Sequence, residues 1–187
     1  MLAYVFRHWP SQVSDRVDYE ATHLQFHRSI ASESPAGFRR SFVFRLAKAS
    51  WVGATGPIYE DWYLVENFAA LESLNEGAVS GKNRSRHDRI AQRAGGGSGA
   101  LYRLRAGQPH FTKARMALWF SKPRGLPYPE FYAGVPQEAL DEGGGLWERQ
   151  MVLGSSPECC LFLARHTVVP KALDADEIEL ALVWGGD

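Results

Sequence analysis

Apolar and polar residues alternate over short stretches, then switch to helical spacing, and the two patterns take turns along the chain. Ala3–Trp9 is rich in β-formers, and Pro10 stops it. Ser14-Asp15 offers an N-cap, and the spacing predicts a helix to about Ala31, ahead of Ser34-Pro35-Ala36-Gly37. Phe38–Leu46 and Ile58–Val65 read as the second and third strands. Asn67 caps a predicted helix, Phe68–Val79, with Phe68, Leu71, Leu74 and Ala78 at helical intervals. Residues 82–93 are basic and compatible with a helix. Gly95–Gly99 reads as a mobile hinge before a fourth strand, Ala100–Arg105. The resulting order, β-α-β-β-α-β, is that of the split βαβ or ferredoxin-like unit.

The pattern then restarts. Arg115–Phe120 is a predicted strand, and Tyr128–Glu142 a weaker helix interrupted by Pro129 and Pro136. Leu146–Leu153 and Cys159–His166 form a pair of strands around Gly154-Ser155-Ser156-Pro157, which has hairpin composition. Lys171–Asp176 has room for a short helix only, and Ile178–Trp184 is the last strand. The order is again β-α-β-β-α-β. We expect two ferredoxin-like units, 1–107 and 113–187, joined by Gly107–Thr112. Each four-stranded sheet has helices on one face only, so its other face needs a partner, which the other unit supplies.

Composition narrows the class. The 187 residues are 45% apolar and 22% charged, as expected for a globular protein rather than a disordered chain. The 21 basic and 21 acidic side chains balance, which argues against nucleic acid as a partner. That zero sums a first half (1–107) at +4 and a second half at −4. The two cysteines, Cys159 and Cys160, are adjacent in a strand and so poorly placed to bridge each other. With no signal-peptide pattern and no membrane-length apolar run, the expectation is a cytoplasmic, membrane-free protein, monomeric or homodimeric.

The strand Ala3–Trp9, the following helix with His23 and His27, the run Tyr59-Glu60-Asp61-Trp62-Tyr63-Leu64-Val65 and its helix Phe68–Val79 carry a resemblance. The chain resembles the dimeric α+β barrel superfamily, in which two ferredoxin-like sheets pack face to face. Here both units lie in one chain, so the resemblance implies an intramolecular α+β barrel. It also implies small-molecule chemistry of the oxygenase, isomerase or haem-degrading kind, in a pocket between sheet and helices or inside the barrel. Carried onto this sequence, that pocket is lined by His23, His27, Tyr4, Phe6, Trp62 and Tyr63.

The residues themselves leave the chemistry open. His23 and His27 sit one helical turn apart, between the stripes Val17/Ala21/Leu24 and Tyr19/Phe26/Ile30, with Asp18, Thr22, Gln25 and Ser29 towards solvent. That spacing suits two ligands of one metal, an acid–base pair, or two satisfied core histidines. No third metal ligand is visible in the sequence. Glu60 and Asp61 alternate on the third strand, so one carboxylate is placed to orient a histidine. His87 stands among Lys82, Arg84, Arg86, Arg89 and Arg93. Arg84, Arg86 and Arg89 are candidates for an anion site. In haem-binding relatives a helix-borne histidine supplies the axial ligand. The expectation is a small-molecule enzyme without cofactor, with His23 or His27 as base. The alternatives are a haem or divalent-metal binder and a non-catalytic binding or structural module.

Overall fold

Side-chain alternation along the strands separates an inner layer from an outer one. In the computed structural model, which describes residues 1–54, 56–153, 156–165 and 167–185, the first half runs β1 (Leu2–Pro10), α1 (Arg16–Glu33), β2 (Phe38–Leu46), β3 (Ile58–Val65), α2 (Phe68–Ala78), α3 (Gly81–Ala91) and β4 (Ala94–Gly107). The second half runs β5 (Met116–Phe120), α4 (Tyr128–Ala133), α5 (Gln137–Asp141), β6 (Gly145–Leu153), β7 (Cys159–Leu163) and β8 (Asp176–Gly185). Part of the expected hairpin, Gly154 and Ser155, and the expected strand end His166 lie outside the described residues.

The strands close into one antiparallel barrel in the order β1-β3-β2-β8-β5-β7-β6-β4. Each half contributes four strands in the ferredoxin-like order, and the halves meet edge to edge through β2 with β8 and β4 with β6. Closure pairs each strand with a neighbour on both sides, which removes most of the edge pairing that two open sheets would have allowed.

Gly95–Gly99 is part of β4 and not a hinge. Gly96, Gly97 and Gly99 pair with Trp9, His8 and Phe6 of β1. The absence of side chains there makes room for aromatic rings: a Cβ built on Gly97 falls 2.5 Å from Cζ of Phe6, and one on Gly99 falls 3.0 Å from the Tyr4 ring. The 107–112 connection is also more than a spacer. Its Phe111 enters the barrel core and stacks on Phe42 at 4.4 Å between ring centres. Pro136, at the start of α5, separates the weak helix into α4 and α5, and Lys171–Leu173 forms a single 3-10 turn.

The barrel interior holds Val5, Phe44, Trp62, Tyr102, Trp119, Trp147 and Cys160 among others. Inside it, Arg7 Nε lies 2.7 Å from the Glu60 carboxylate, and the Arg7 guanidinium stacks 4.3 Å above the Trp119 ring. Burial pushes the Glu60 carboxyl up in spite of Arg7. Both cysteines are free and buried, Cys160 inside the barrel and Cys159 outside it, and burial raises both thiols. Among the described residues no helix is long and apolar enough to cross a membrane.

α1 starts on Asp15, whose carboxylate accepts the Asp18 backbone N–H at 3.0 Å. Its buried face differs from the expected one. Val17 is 69% exposed, while Thr22 and Ser29 are buried at 5% and 6%. The buried face of α1 joins Tyr19, Phe26 and Ile30 to His23, His27, Thr22 and Ser29, and Val17 and Ala21 are left outside with Asp18 and Gln25.

Candidate functional site

The outer faces of β1 and β3, directly under α1, carry ionisable and aromatic residues in alternation. Tyr4, Phe6 and His8 come from β1, paired across the ladder with Tyr63, Asp61 and Tyr59 of β3. Glu60 and Trp62 occupy the intervening positions on β3 and so face the barrel interior. α1 lowers His23 and His27 onto this surface, and both are fully enclosed.

Asp61 is the hub. His8 Nε2 lies 3.2 Å from Oδ1, and His23 Nε2 and His27 Nε2 lie 2.8 Å and 3.2 Å from Oδ2. The Tyr63 hydroxyl donates to Oδ2 at 3.1 Å. Burial alone would raise the Asp61 pKa, but the facing imidazoles of His23, His8 and His27 outweigh it and hold the carboxyl well below its usual range. An ionised carboxylate only accepts, so His8 Nε2 and His23 Nε2, which face it, carry a proton and leave Nδ1 with a lone pair, while His27 Nε2 also lies 3.2 Å from His23 Nε2 and 3.1 Å from the Tyr63 hydroxyl. Burial keeps His8 and His27 neutral, pushing His8 down and His27 down to about 4 against the pull of Asp61. Burial and Asp61 likewise raise the phenols of Tyr4, Tyr19 and Tyr63, which stay protonated.

Two of the three Nδ1 atoms have partners. Tyr19 donates to His8 Nδ1 at 2.5 Å. Ser41 Oγ lies 2.9 Å from His27 Nδ1 and accepts from Trp184 Nε1 at 3.2 Å. Among the described residues His23 Nδ1 has no partner. A histidine tied to a carboxylate through one nitrogen and bare on the other is the arrangement of an oriented general base.

A cavity of about 860 Å³ lies over this network, within the usual size range of small-molecule pockets. Tyr4, Phe6, Phe26, Leu71, Leu74 and Ala78 form its apolar wall, and His8, His23 and Asp61 part of its floor. Of the expected pocket residues, Tyr4, Phe6, Tyr63 and His23 therefore line one cavity. His27 sits behind them, reached through Asp61. Trp62 does not take part: it lies inside the barrel, where its Nε1 donates to Glu60 at 2.7 Å.

The basic segment lies apart from this floor. Arg84 Nε is 3.9 Å from Asp88, Arg86 donates to the Lys82 carbonyl at 2.8 Å, and Arg89 is exposed. None of the three lines the cavity. His87 reaches its rim, 5.9 Å from the Phe26 ring, with its Nδ1 3.2 Å from the Asp88 carboxylate. Among the described residues the cavity lining has no lysine or arginine to meet haem propionates, while Asp61 and Glu72 add negative charge. His8 and Asp61 complete what the sequence only half displayed. The signal for His8 was period two: it shares the face of Tyr4 and Phe6, opposite Ala3 and Val5. With His23 they form a group whose potential ligand atoms all lie within 4.8 Å of one another.

No family model matches the chain, and no curated protein matches it in sequence. Two solved structures resemble it over almost its whole length. One is the "putative monooxygenase" of Lactobacillus acidophilus NCFM, with TM-score 0.60, 11% identity, and 99% of this chain and 95% of that one covered. The other is an anthrone oxidase-like protein, with TM-score 0.53, 6% identity, and 96% and 91% covered. At such identities the likeness speaks for the fold alone, and the fold of this chain is an α+β barrel closed by eight antiparallel strands.

Proposed function

We propose that the chain is a small-molecule enzyme of the oxygenase or isomerase kind that works without a cofactor, with His23 as general base. The observation that carries this reading is the bare, buried Nδ1 of His23, whose other nitrogen donates to Asp61 beside an apolar cavity. Asp61 orients the imidazole and favours the positive charge it gains on taking a proton. Tyr4, Phe6 and Tyr63 shape the space for a flat, largely apolar substrate with a weakly acidic C–H or O–H. Asp61 and Glu72, with no lysine or arginine among the described lining, disfavour an anionic substrate. The likeness to a "putative monooxygenase" and an anthrone oxidase-like protein is in keeping with this reading.

In the proposed step, Nδ1 accepts the substrate proton and the electron pair stays on the substrate. Isomerisation follows if the imidazolium returns the proton to a different carbon. Oxygenation follows if the substrate anion gives its electrons to dioxygen, the oxidant in that case. Both routes share proton removal. The test is deuterium uptake from D2O into 2-tetralone and 1-indanone, followed by NMR, with oxygen uptake measured alongside. Wild type should accelerate exchange in at least one probe, and His23→Ala should lose that acceleration while keeping its circular dichroism spectrum. Undiminished exchange in a folded His23→Ala chain overturns the assignment.

A further inference from the structure

We propose that His8, His23 and Asp61 also form a binding site for a divalent transition-metal cation of the Zn2+ or Co2+ type. The donors come from β1, α1 and β3, three elements brought together only by the fold. Two imidazoles and a carboxylate are a borderline donor set that suits late first-row metals, not Mg2+ or Ca2+.

The three ligand atoms lie within 4.8 Å of one another, and each imidazole is at coordination-sphere spacing from the carboxylate, so a small side-chain shift closes the group on one ion. Metal–ligand bonds of about 2.0–2.2 Å place neighbouring ligands about 2.8–3.6 Å apart in tetrahedral or octahedral geometry. His8 Nε2 lies 3.2 Å from Oδ1 and His23 Nε2 2.8 Å from Oδ2. His27 Nε2 stands 3.2 Å from both His23 Nε2 and Oδ2, in reach as a fourth ligand. Two imidazole nitrogens 3.2 Å apart, both turned to the same carboxylate oxygen, cannot both keep a proton there without crowding; one cation between them removes the conflict. The outer contacts suit it as well. When Nε2 binds metal, Nδ1 carries the proton, and Tyr19 and Ser41 are then placed to accept from His8 and His27. The cavity above leaves a side from which the ion, and a further ligand, can enter.

The site does not depend on the proposed base, and the two states exclude each other. Metal on Nε2 of His23 moves the imidazole proton to Nδ1 and removes the lone pair that would accept the substrate proton. A bound cation is therefore an inhibitor of the cofactor-free step.

The test is titration of the chelator-treated full chain with Zn2+ by calorimetry and with Co2+ by visible absorption. One equivalent of each is expected, with Co2+ ligand-field bands, and binding weakened tenfold or more in His8→Phe. His110→Ala, which alters an exposed histidine on the 107–112 connection, should bind as wild type does. If His8→Phe does not fold, wild type decides alone: Zn2+ must raise its Tm and EDTA must reverse the rise. Wild type that takes up no equivalent, or a His8→Phe chain that binds as tightly as wild type, overturns the proposal. Zinc binding without deuterium exchange in the metal-free chain leaves this site standing and removes the base; exchange without zinc binding does the reverse.

Discussion

The outer faces of the two half-barrels share a strand order and differ in everything placed on it. Under α1, β1 and β3 present Tyr4, Phe6 and His8 against Tyr63, Asp61 and Tyr59. In the corresponding pair of the second half, β5 and β7 present Met116, Leu118 and Phe120 against Leu163, Leu161 and Cys159. Where one face has Phe6 opposite Asp61, the other has Leu118 opposite Leu161. The second face is sealed by Phe131, Val135 and Ala139 from α4, α5 and the turn between them. The first is roofed by the long α1 and keeps a cavity. The barrel therefore supplies a platform, and the choice of outward residues on one pair of strands makes it a candidate site.

The largest expected effects come from removing each hub. Asp61→Ala strips the shared acceptor from three buried imidazoles and a phenol, and should cost about 3–5 kcal/mol in a denaturant-unfolding curve. Leu161→Ala removes only packing and should cost about 2–5 kcal/mol. The two should part on function: Leu161→Ala keeps the deuterium exchange and Asp61→Ala loses it. A Leu161→Ala chain without exchange would break the contrast.

Acid should act through the first face alone. The buried His27 has its pKa lowered to about 4, below the ordinary value of about 6.5, so the unfolded chain binds that proton first. His8 shifts in the same direction. Their contribution is complete above about pH 6.5 and is lost as pH falls towards about 4. Asp61, held below its usual range, adds a loss that begins near about pH 4 and continues below it. Thermal melts across this window should show Tm falling with pH, and a His27→Gln chain should show a shallower fall. An unchanged slope would place the sensitivity elsewhere.

Smaller effects refine the picture. Tyr63→Phe deletes one donor to the Asp61 carboxylate and should cost about 1.5–3 kcal/mol by the same unfolding measurement. Val17→Thr, on the outward stripe of α1, should stay within about 0.5 kcal/mol of wild type. A larger loss there would mean that the helix packs by its apolar stripe after all.

Much of this was legible in the sequence, and the gaps have physical causes. The element order and the barrel follow from period-two strands, the Asn67 and Asp15 caps and the restart near Arg115. His23 and His27 stood out because one helical turn aligns them. Of the expected solvent side of α1, Asp18 and Gln25 are exposed but Thr22 and Ser29 are buried, because amphipathicity assumes an apolar floor and here the floor includes Asp61, His8 and Tyr59. The glycines of β4 looked like a hinge because composition cannot show Trp9, Phe6 and Tyr4 lying across them. Trp62 was grouped with the pocket by its neighbours, yet one step along a strand changes the face. The choice between Glu60 and Asp61 needed the register: Glu60 turns inward to Arg7, Asp61 outward to the histidines.

The central claim is that Asp61 takes the Nε2–H of His23 and that His23 Nδ1 is left bare among the described residues. Long-range 1H–15N NMR of the histidine side chains, recorded on metal-free protein near neutral pH, reads this directly. The account predicts an Nε2–H tautomer for His23, with its Nδ1 at the shift of an unbonded lone-pair nitrogen. A proton on His23 Nδ1 in that spectrum would contradict it.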